Sequence, residues 1–281
     1  MSALDFREIR IGVINALCSD EELLEELVLK GGNALALLHG IGSRTSLDLD
    51  FSMQGNFEDD LEGAKEKLRA ALSEHFRAEG YVVFDLNFDR KPDKPKRADW
   101  FGYRLEFKIL PQDRYDKLSD PSAKSREASV TGPGQKRVFS IDFSCHEYTQ
   151  PKVEYELNDY PVFAYTPEMI AIEKLRALCQ QMDEYEWQTA RKRRPRDLYD
   201  IFEIFQEIDF VKSEYKDMAR AIFEAKGVPF ELLERLPDYR ELHREQWSAV
   251  EDSVGQEIRD YDFYFDKVVE LALEAKSLWD V

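Results

Sequence analysis

The chain has 281 residues, 43% hydrophobic and 34% charged, which supports one large domain or two modest ones and excludes disorder throughout. Its formal net charge of −18 excludes a general nucleic-acid coat protein, because non-specific binding to phosphate backbones is driven by cations. No stretch approaches the ~20 apolar residues that span a bilayer, the N-terminus has no signal-peptide core, and Cys18, Cys145 and Cys179 stand far apart, so a cytoplasmic protein is expected, with no membrane contact, disulfide framework or zinc site.

Residues 5–25 place Ile9, Val13, Ile14 and Leu17 at helical spacing and predict an amphipathic opening helix. Leu27-Val28-Leu29 reads as a short buried strand ended by Gly31-Gly32, and Ala34 to Leu38 as helical. Leu47 to Met53 is predicted to be a strand, and 57–78 a long helix stopped by Gly80. The β-like stretches Tyr81–Phe88 and Trp100–Leu110 flank a Pro- and Lys-rich loop and predict a hairpin. A polar segment, 111–136, leads to a strand over Val138–Cys145. Phe139, Ile141, Phe143 and Cys145 share one of its faces, and Ser140, Asp142 and Ser144 the other.

After Pro161–Tyr165 the pattern turns helical. Thr166 is a good N-cap, Pro167 is suited to the first helical position and Glu168 complements the positive helix end. That helix runs to about Met182, and a second starts near Pro195 with Leu198, Ile201, Phe202 and Phe205 as its apolar stripe. The division expected is an α/β part over 1–165 and an all-helical part over 166–281. Two basic clusters interrupt an otherwise acidic chain, Arg90–Arg97 and Arg191–Arg196, and the acidic excess is greatest from Asp197 onward. A solvated loop is the simplest reading of the first cluster; the second runs directly into the helix that starts near Pro195 and carries less of that reading.

Asp48 and Asp50 are the strongest chemical signal. Two apart on a strand, they project together while Leu47, Leu49 and Phe51 point into a core. Adjacent carboxylates repel unless a cation lies between them, and oxygen ligands of this kind suit Mg²⁺ or Mn²⁺. Gly31-Gly32, opening a helix beside them, offers backbone N–H donors for phosphate. Turn and carboxylates together describe a place for a metal-bound nucleotide.

Four pieces in order resemble the AbiEii/AbiGii-type nucleotidyltransferase toxins of bacterial toxin–antitoxin and abortive-infection systems, within the polymerase-β-like nucleotidyltransferases. They are Lys30-Gly31-Gly32-x-Ala34-Leu35, Arg44-x-Ser46-x-Asp48-Leu49-Asp50-Phe51, Glu173-Lys174-Leu175-x-Ala177-Leu178 and Pro195-Arg196-Asp197-Leu198-Tyr199-Asp200. Asn33 stands where Thr is more common in that pattern. The resemblance implies a nucleotidyltransferase-fold N-terminal part with a mixed sheet, followed by helices. It also implies transfer of a nucleoside monophosphate from an NTP to an acceptor, tRNA foremost, and an antitoxin partner. It makes Asp48, Asp50 and Asp142 the metal ligands and catalytic carboxylates, with Lys174 and Asp197 as catalytic residues contributed by the helical part. Lys30, Gly31, Gly32, Ser43, Arg44, Arg196 and Asp200 would bind the nucleotide, and Arg191 would add charge near nucleotide or acceptor. A small-molecule or protein acceptor, or a nucleotide-binding protein without turnover, shares these features.

Overall fold

The structure, a computed structural model, describes residues 5–42, 48–187, 191–255 and 257–280, without the side chain of Pro133. It divides into two compact units. The first comprises Met1–Lys30 and Leu47–Ala164, the second Gly31–Ser46 and Tyr165–Val281.

The first unit opens with α1 (Phe6–Cys18) and α2 (Glu21–Glu26). The single opening helix expected from apolar spacing is broken because Asp20 caps a new helix, its carboxylate accepting from the N–H groups of Glu22 and Leu23. Next come β1 (Val28–Lys30), β2 (Leu49–Ser52), α4 (Leu61–Ala78), β3 (Tyr81–Lys91) and β4 (Gly102–Pro111), while α3 (Gly31–Ala34), which intervenes in sequence, belongs to the second unit. The hairpin of β3 and β4 therefore extends further than predicted, and Arg90 and Lys91 of the first basic cluster lie in a strand rather than a loop. The polar segment that follows folds as α5 (Gln112–Lys117) and α6 (Pro121–Glu127), leading to β5 (Phe139–Ser144). Two strands not foreseen, β6 (Val153–Leu157) and β7 (Tyr160–Ala164), close the unit as a hairpin turned by Asn158 and Asp159, both at positive φ.

These strands form one mixed sheet in the order β3-β4-β5-β2-β1-β7-β6. The pairs β2/β5 and β1/β7 are parallel and the others antiparallel. One face is the core. Leu49 and Phe51 of β2, Phe139, Ile141 and Phe143 of β5, and Tyr103, Leu105, Phe107 and Ile109 of β4 are all buried. Leu68, Leu72 and Phe76 of α4 are fully buried as well, and the Phe76 ring lies 6.5 Å from that of Phe107. Period-two burial in the strands and period-3.6 burial in α4 are what the sequence patterns demand.

In the second unit, α3 (Gly31–Ala34) runs into a π-helical turn over Leu35–His39. This segment, read from sequence as part of the α/β domain, instead groups with the helices. The ring of His39 is hydrogen-bonded to the Tyr165 carbonyl at 2.9 Å. The remaining helices are α7 (Pro167–Cys179), α8 (Pro195–Glu207), α9 (Lys216–Ala225), a 3₁₀ stretch over Phe230–Tyr239, α10 (Arg240–Arg244), α11 (Ser248–Val254) and α12 (Tyr261–Trp279). Helix α7 starts as predicted, with Thr166 Oγ accepting from Met169 N–H. It is buried almost all round, including Lys174 and Arg176, so those two charges need partners inside the protein. No described helix is long and apolar enough to cross a membrane.

Gly102, at the start of β4, has no room for a side chain, because a Cβ there would lie 2.0 Å from the carbonyl oxygen of Phe143. Gly102→Ala is expected to force β4 from β5 and to cost about 1–3 kcal/mol. Gly55→Ala, with nothing within 4 Å, should stay within about 0.5 kcal/mol of wild type. Denaturant unfolding of the two variants checks the difference.

Candidate active site

The expected site residues divide between the two units. In the sheet unit, strand register sets four charges in a row. Lys30 of β1 lies opposite Asp50 of β2, Asp50 opposite Asp142 of β5, and Asp142 opposite Arg104 of β4. Residues opposite one another on paired strands project to the same face. The row is therefore Lys30, Asp50, Asp142, Arg104, on the face away from Phe51 and Phe143. Asp48, two residues before Asp50, sits just ahead of β2.

Two adjacent carboxylates flanked by cations are a compensated arrangement. Arg104 holds Asp142 with both arms of its fork, Nε to Oδ1 at 2.7 Å and Nη2 to Oδ2 at 2.8 Å. Lys136 reaches Asp48, Nζ to Oδ1 at 2.8 Å. Lys30 is buried and lies 3.7 Å from the carboxylate of Glu147. The bond to Asp142 raises the pKa of the Arg104 guanidinium against the opposing effect of burial, which keeps the cation charged.

This all-oxygen donor set has the chemistry of a Mg²⁺ or Mn²⁺ site. Among the described residues no group of three or more His, Cys, Asp or Glu side chains converges closely enough to hold a metal ion; Asp48 and Asp142 are each drawn onto a basic side chain instead.

In the helical unit, Gly31 adopts a φ of 72°, a left-handed conformation that suits glycine, and begins α3. Gly32 is the next residue of that helix. Ser43 and Arg44 lie outside the described residues. Lys174 of α7 meets Asp197 and Asp200 of α8, three apart and so on one helical face, with Nζ 2.7 Å from Asp197 Oδ1 and 2.8 Å from Asp200 Oδ2. Arg194 Nη1 donates to the other Asp197 oxygen at 2.9 Å. Each of the two carboxylates thus has a cation bonded to it. Burial pushes the Asp197 carboxyl up, but Lys174 and Arg194 outweigh it and hold the group far below the usual aspartate range. His243 of α10, fully buried, accepts the Arg194 backbone N–H on Nδ1 at 3.0 Å. Burial pushes its pKa down to about 4, so the ring is neutral at pH 7.

Of the second basic cluster, Arg191 pairs with Asp183, Arg193 with Glu245 and Arg194 with Asp197. Lys192 and Arg196 are exposed and make no ion pair among the described residues. Arg104, Lys136, Glu147 and His243 were not singled out by the sequence. Arg104 carries a readable signal, a cation on the outward phase of a strand, whereas Lys136 and His243 reach their partners only through the fold.

A mixed sheet bearing carboxylates on adjacent central strands, joined to a helical unit, defines a protein of the nucleotidyltransferase fold. The chain belongs to the AbiEii family: the family described as nucleotidyl transferase AbiEii toxin, Type IV TA system, matches residues 15–270. It is therefore a nucleotidyltransferase of a toxin–antitoxin family. The structure of JHP933 from Helicobacter pylori is similar in fold, with a TM-score of 0.51 at 15% identity over 99% of this chain and 95% of that one. A Helicobacter pylori protein provisionally designated a nucleotidyltransferase gives 0.49 at 16% identity over 99% and 97%. An antigenic nucleotidyltransferase-like protein from Paracoccidioides brasiliensis gives 0.40 at 15% over 82% and 90%. No curated protein matches the chain significantly.

Two stability measurements follow from the buried network. Lys174→Met leaves two carboxylates facing one guanidinium and is expected to cost about 3–5 kcal/mol; a loss below about 1 kcal/mol, read by urea unfolding, would show the ion pairs to be worth little. His243 gives a pH signature. An unfolded histidine takes its proton near pH 6.5, the folded one only near pH 4, so between these values the unfolded chain binds more protons and stability falls as pH is lowered. The contribution of His243 across that window is about 3 kcal/mol. Asp197, held down in the folded state, retains its contribution above the ordinary aspartate value of about 4 and loses it only below. Urea unfolding from pH 7 to 4 should therefore show a shallower pH dependence in His243→Gln than in wild type, and equal slopes would refute the assignment.

Proposed function

We propose that the chain transfers a nucleoside monophosphate from an NTP, with Mg²⁺ or Mn²⁺, to the hydroxyl of an RNA acceptor, tRNA foremost, and that an antitoxin restrains it. The observation that carries the reading is the register pairing of Asp50 with Asp142 beside Asp48, within a chain of the AbiEii family.

The reaction balances simply. The acceptor hydroxyl attacks the α-phosphorus, the bond from that phosphorus to the bridging oxygen breaks, and pyrophosphate departs with the electron pair. Asp142 takes the hydroxyl proton. Asp48, Asp50 and Asp142 would hold a divalent ion, which would supply positive charge beside the α-phosphate. Lys30, already buried beside the carboxylate row, keeps positive charge at its edge. In the helical unit, Gly31 and Gly32 offer backbone N–H donors suited to phosphate and Arg196 an exposed cation, while Lys174, held by Asp197 and Asp200, orders the helices around it.

A second reading, a protein or small-molecule acceptor, is favoured by the net charge of −18 and by the pairing of Arg191, Arg193 and Arg194 with acidic residues. Incubation with α-labelled NTPs and total RNA, then with a protein fraction and with small hydroxyl compounds, separates the two by where the label goes.

Asp50→Asn tests the chemistry. Removing one of two neighbouring negative charges should leave stability within about 1 kcal/mol of wild type, while transfer falls by more than about 100-fold. A folded variant that keeps a tenth or more of the wild-type rate refutes the role of Asp50.

A further inference from the structure

We propose that Arg104 and Lys136 are exchangeable counter-cations of the carboxylate row: they hold Asp142 and Asp48 while no divalent ion is bound, release them when it arrives, and then bind the phosphates of the incoming nucleotide. The inference rests on the reading that these carboxylates take a divalent ion.

The first argument is exposure. Side-chain exposures are 44% and 33% for Arg104 and Asp142, and 38% and 52% for Lys136 and Asp48, against 7% and 12% for Lys174 and Asp197. Half-exposed ion pairs contribute little net stability, because water screens them and competes for each partner. The buried Lys174 network is locked by the opposite condition. Exchange therefore costs less at the sheet than in the helices, and least for Lys136, which holds Asp48 by a single bond whereas Arg104 holds Asp142 by two.

The second argument is anchoring. Arg104 sits in a strand paired on both sides, with β3 and β5. Lys136 ends a tight loop whose tip, Gly134 and Gln135, has two successive positive φ values of 63° and 62°. Its carbonyl accepts from Thr131 N–H at 2.7 Å and Thr131 Oγ at 3.2 Å. Both backbones are fixed while both side chains are part-exposed, so release needs only side-chain rotation. A freed guanidinium presents to a phosphate the same fork it now presents to Asp142, and the ammonium serves as a point charge.

The experiment uses the full chain and Mn²⁺ alone, its free fraction read by electron paramagnetic resonance. Binding of a non-hydrolysable αβ-methylene ATP is then measured at saturating Mn²⁺. Arg104→Gln and Lys136→Gln should each tighten Mn²⁺ binding about threefold, since a competing cation is gone. Each should also weaken analogue binding about tenfold, since a phosphate partner is gone. Arg104→Lys, which keeps the charge without the fork, should fall between Arg104→Gln and wild type in both. Asp142→Asn identifies the site by losing Mn²⁺. Where it does so but Mn²⁺ binding in the Gln variants is unchanged or weaker, Arg104 and Lys136 are fixed positioning residues and the exchange is wrong. Tighter Mn²⁺ binding with unaltered analogue binding overturns the phosphate role. Wild type without site-bound Mn²⁺, or Asp142→Asn binding it as wild type does, removes the metal reading itself and this inference with it.

Discussion

Two carboxylates directly opposite each other on parallel strands repel, and a sheet tolerates them only if opposite charge is delivered to the same face. Asp50 and Asp142 impose that condition here. The fold meets it with Lys30 on the strand to one side of the pair and Arg104 on the strand to the other. Because side chains alternate along a strand, a one-residue slip of β4 would turn Arg104 to the apolar face and leave Asp142 without its fork. The apolar packing of Phe51, Phe143, Tyr103 and Leu105 thus fixes more than stability, since it sets the phase at which charge meets charge.

The two units handle charge in opposite ways. The sheet keeps its ions near water, where each pair is weak and ligands can compete for either member. The helices bury most of theirs, and the network of Lys174, Asp197, Asp200 and Arg194 survives burial because each carboxylate is bonded to a cation. Neutral His243 fits this balance, since it accepts from the Arg194 backbone without adding a third cation.

Much of this was legible in the sequence. The alternation in Val138–Cys145 placed Asp142 on the face away from Ile141 and Phe143, and the spacing of Asp197 and Asp200 placed both on one side of a helix that Lys174 reaches. What escaped reading depends on chain pairing that leaves no local trace. The β6–β7 hairpin has short strands interrupted by Pro161, and its turn uses Asn158-Asp159 rather than a glycine. The partners of Asp48 and Asp142 come from the end of a loop and a neighbouring strand, and sequence spacing carries no record of register. The basic cluster at Arg191–Arg196 was conspicuous as a run of like charge, yet three of its members answer acidic residues elsewhere in the chain.

The composition of the helical unit from Gly31–Ser46 and Tyr165–Val281 bears on how the chain folds as it is made. The bond that ties His39 to Tyr165 spans 126 residues, so the early segment leaves the ribosome long before the helices with which it groups. Closing so wide a loop carries an entropic cost that is met before the contact contributes anything. The sheet unit has all its strands once Ala164 emerges, whereas Gly31–Ser46 waits for the C-terminal helices. Gly31, Gly32 and the buried charges of that unit therefore stay without their full set of helical neighbours until the segment through α12 has been made.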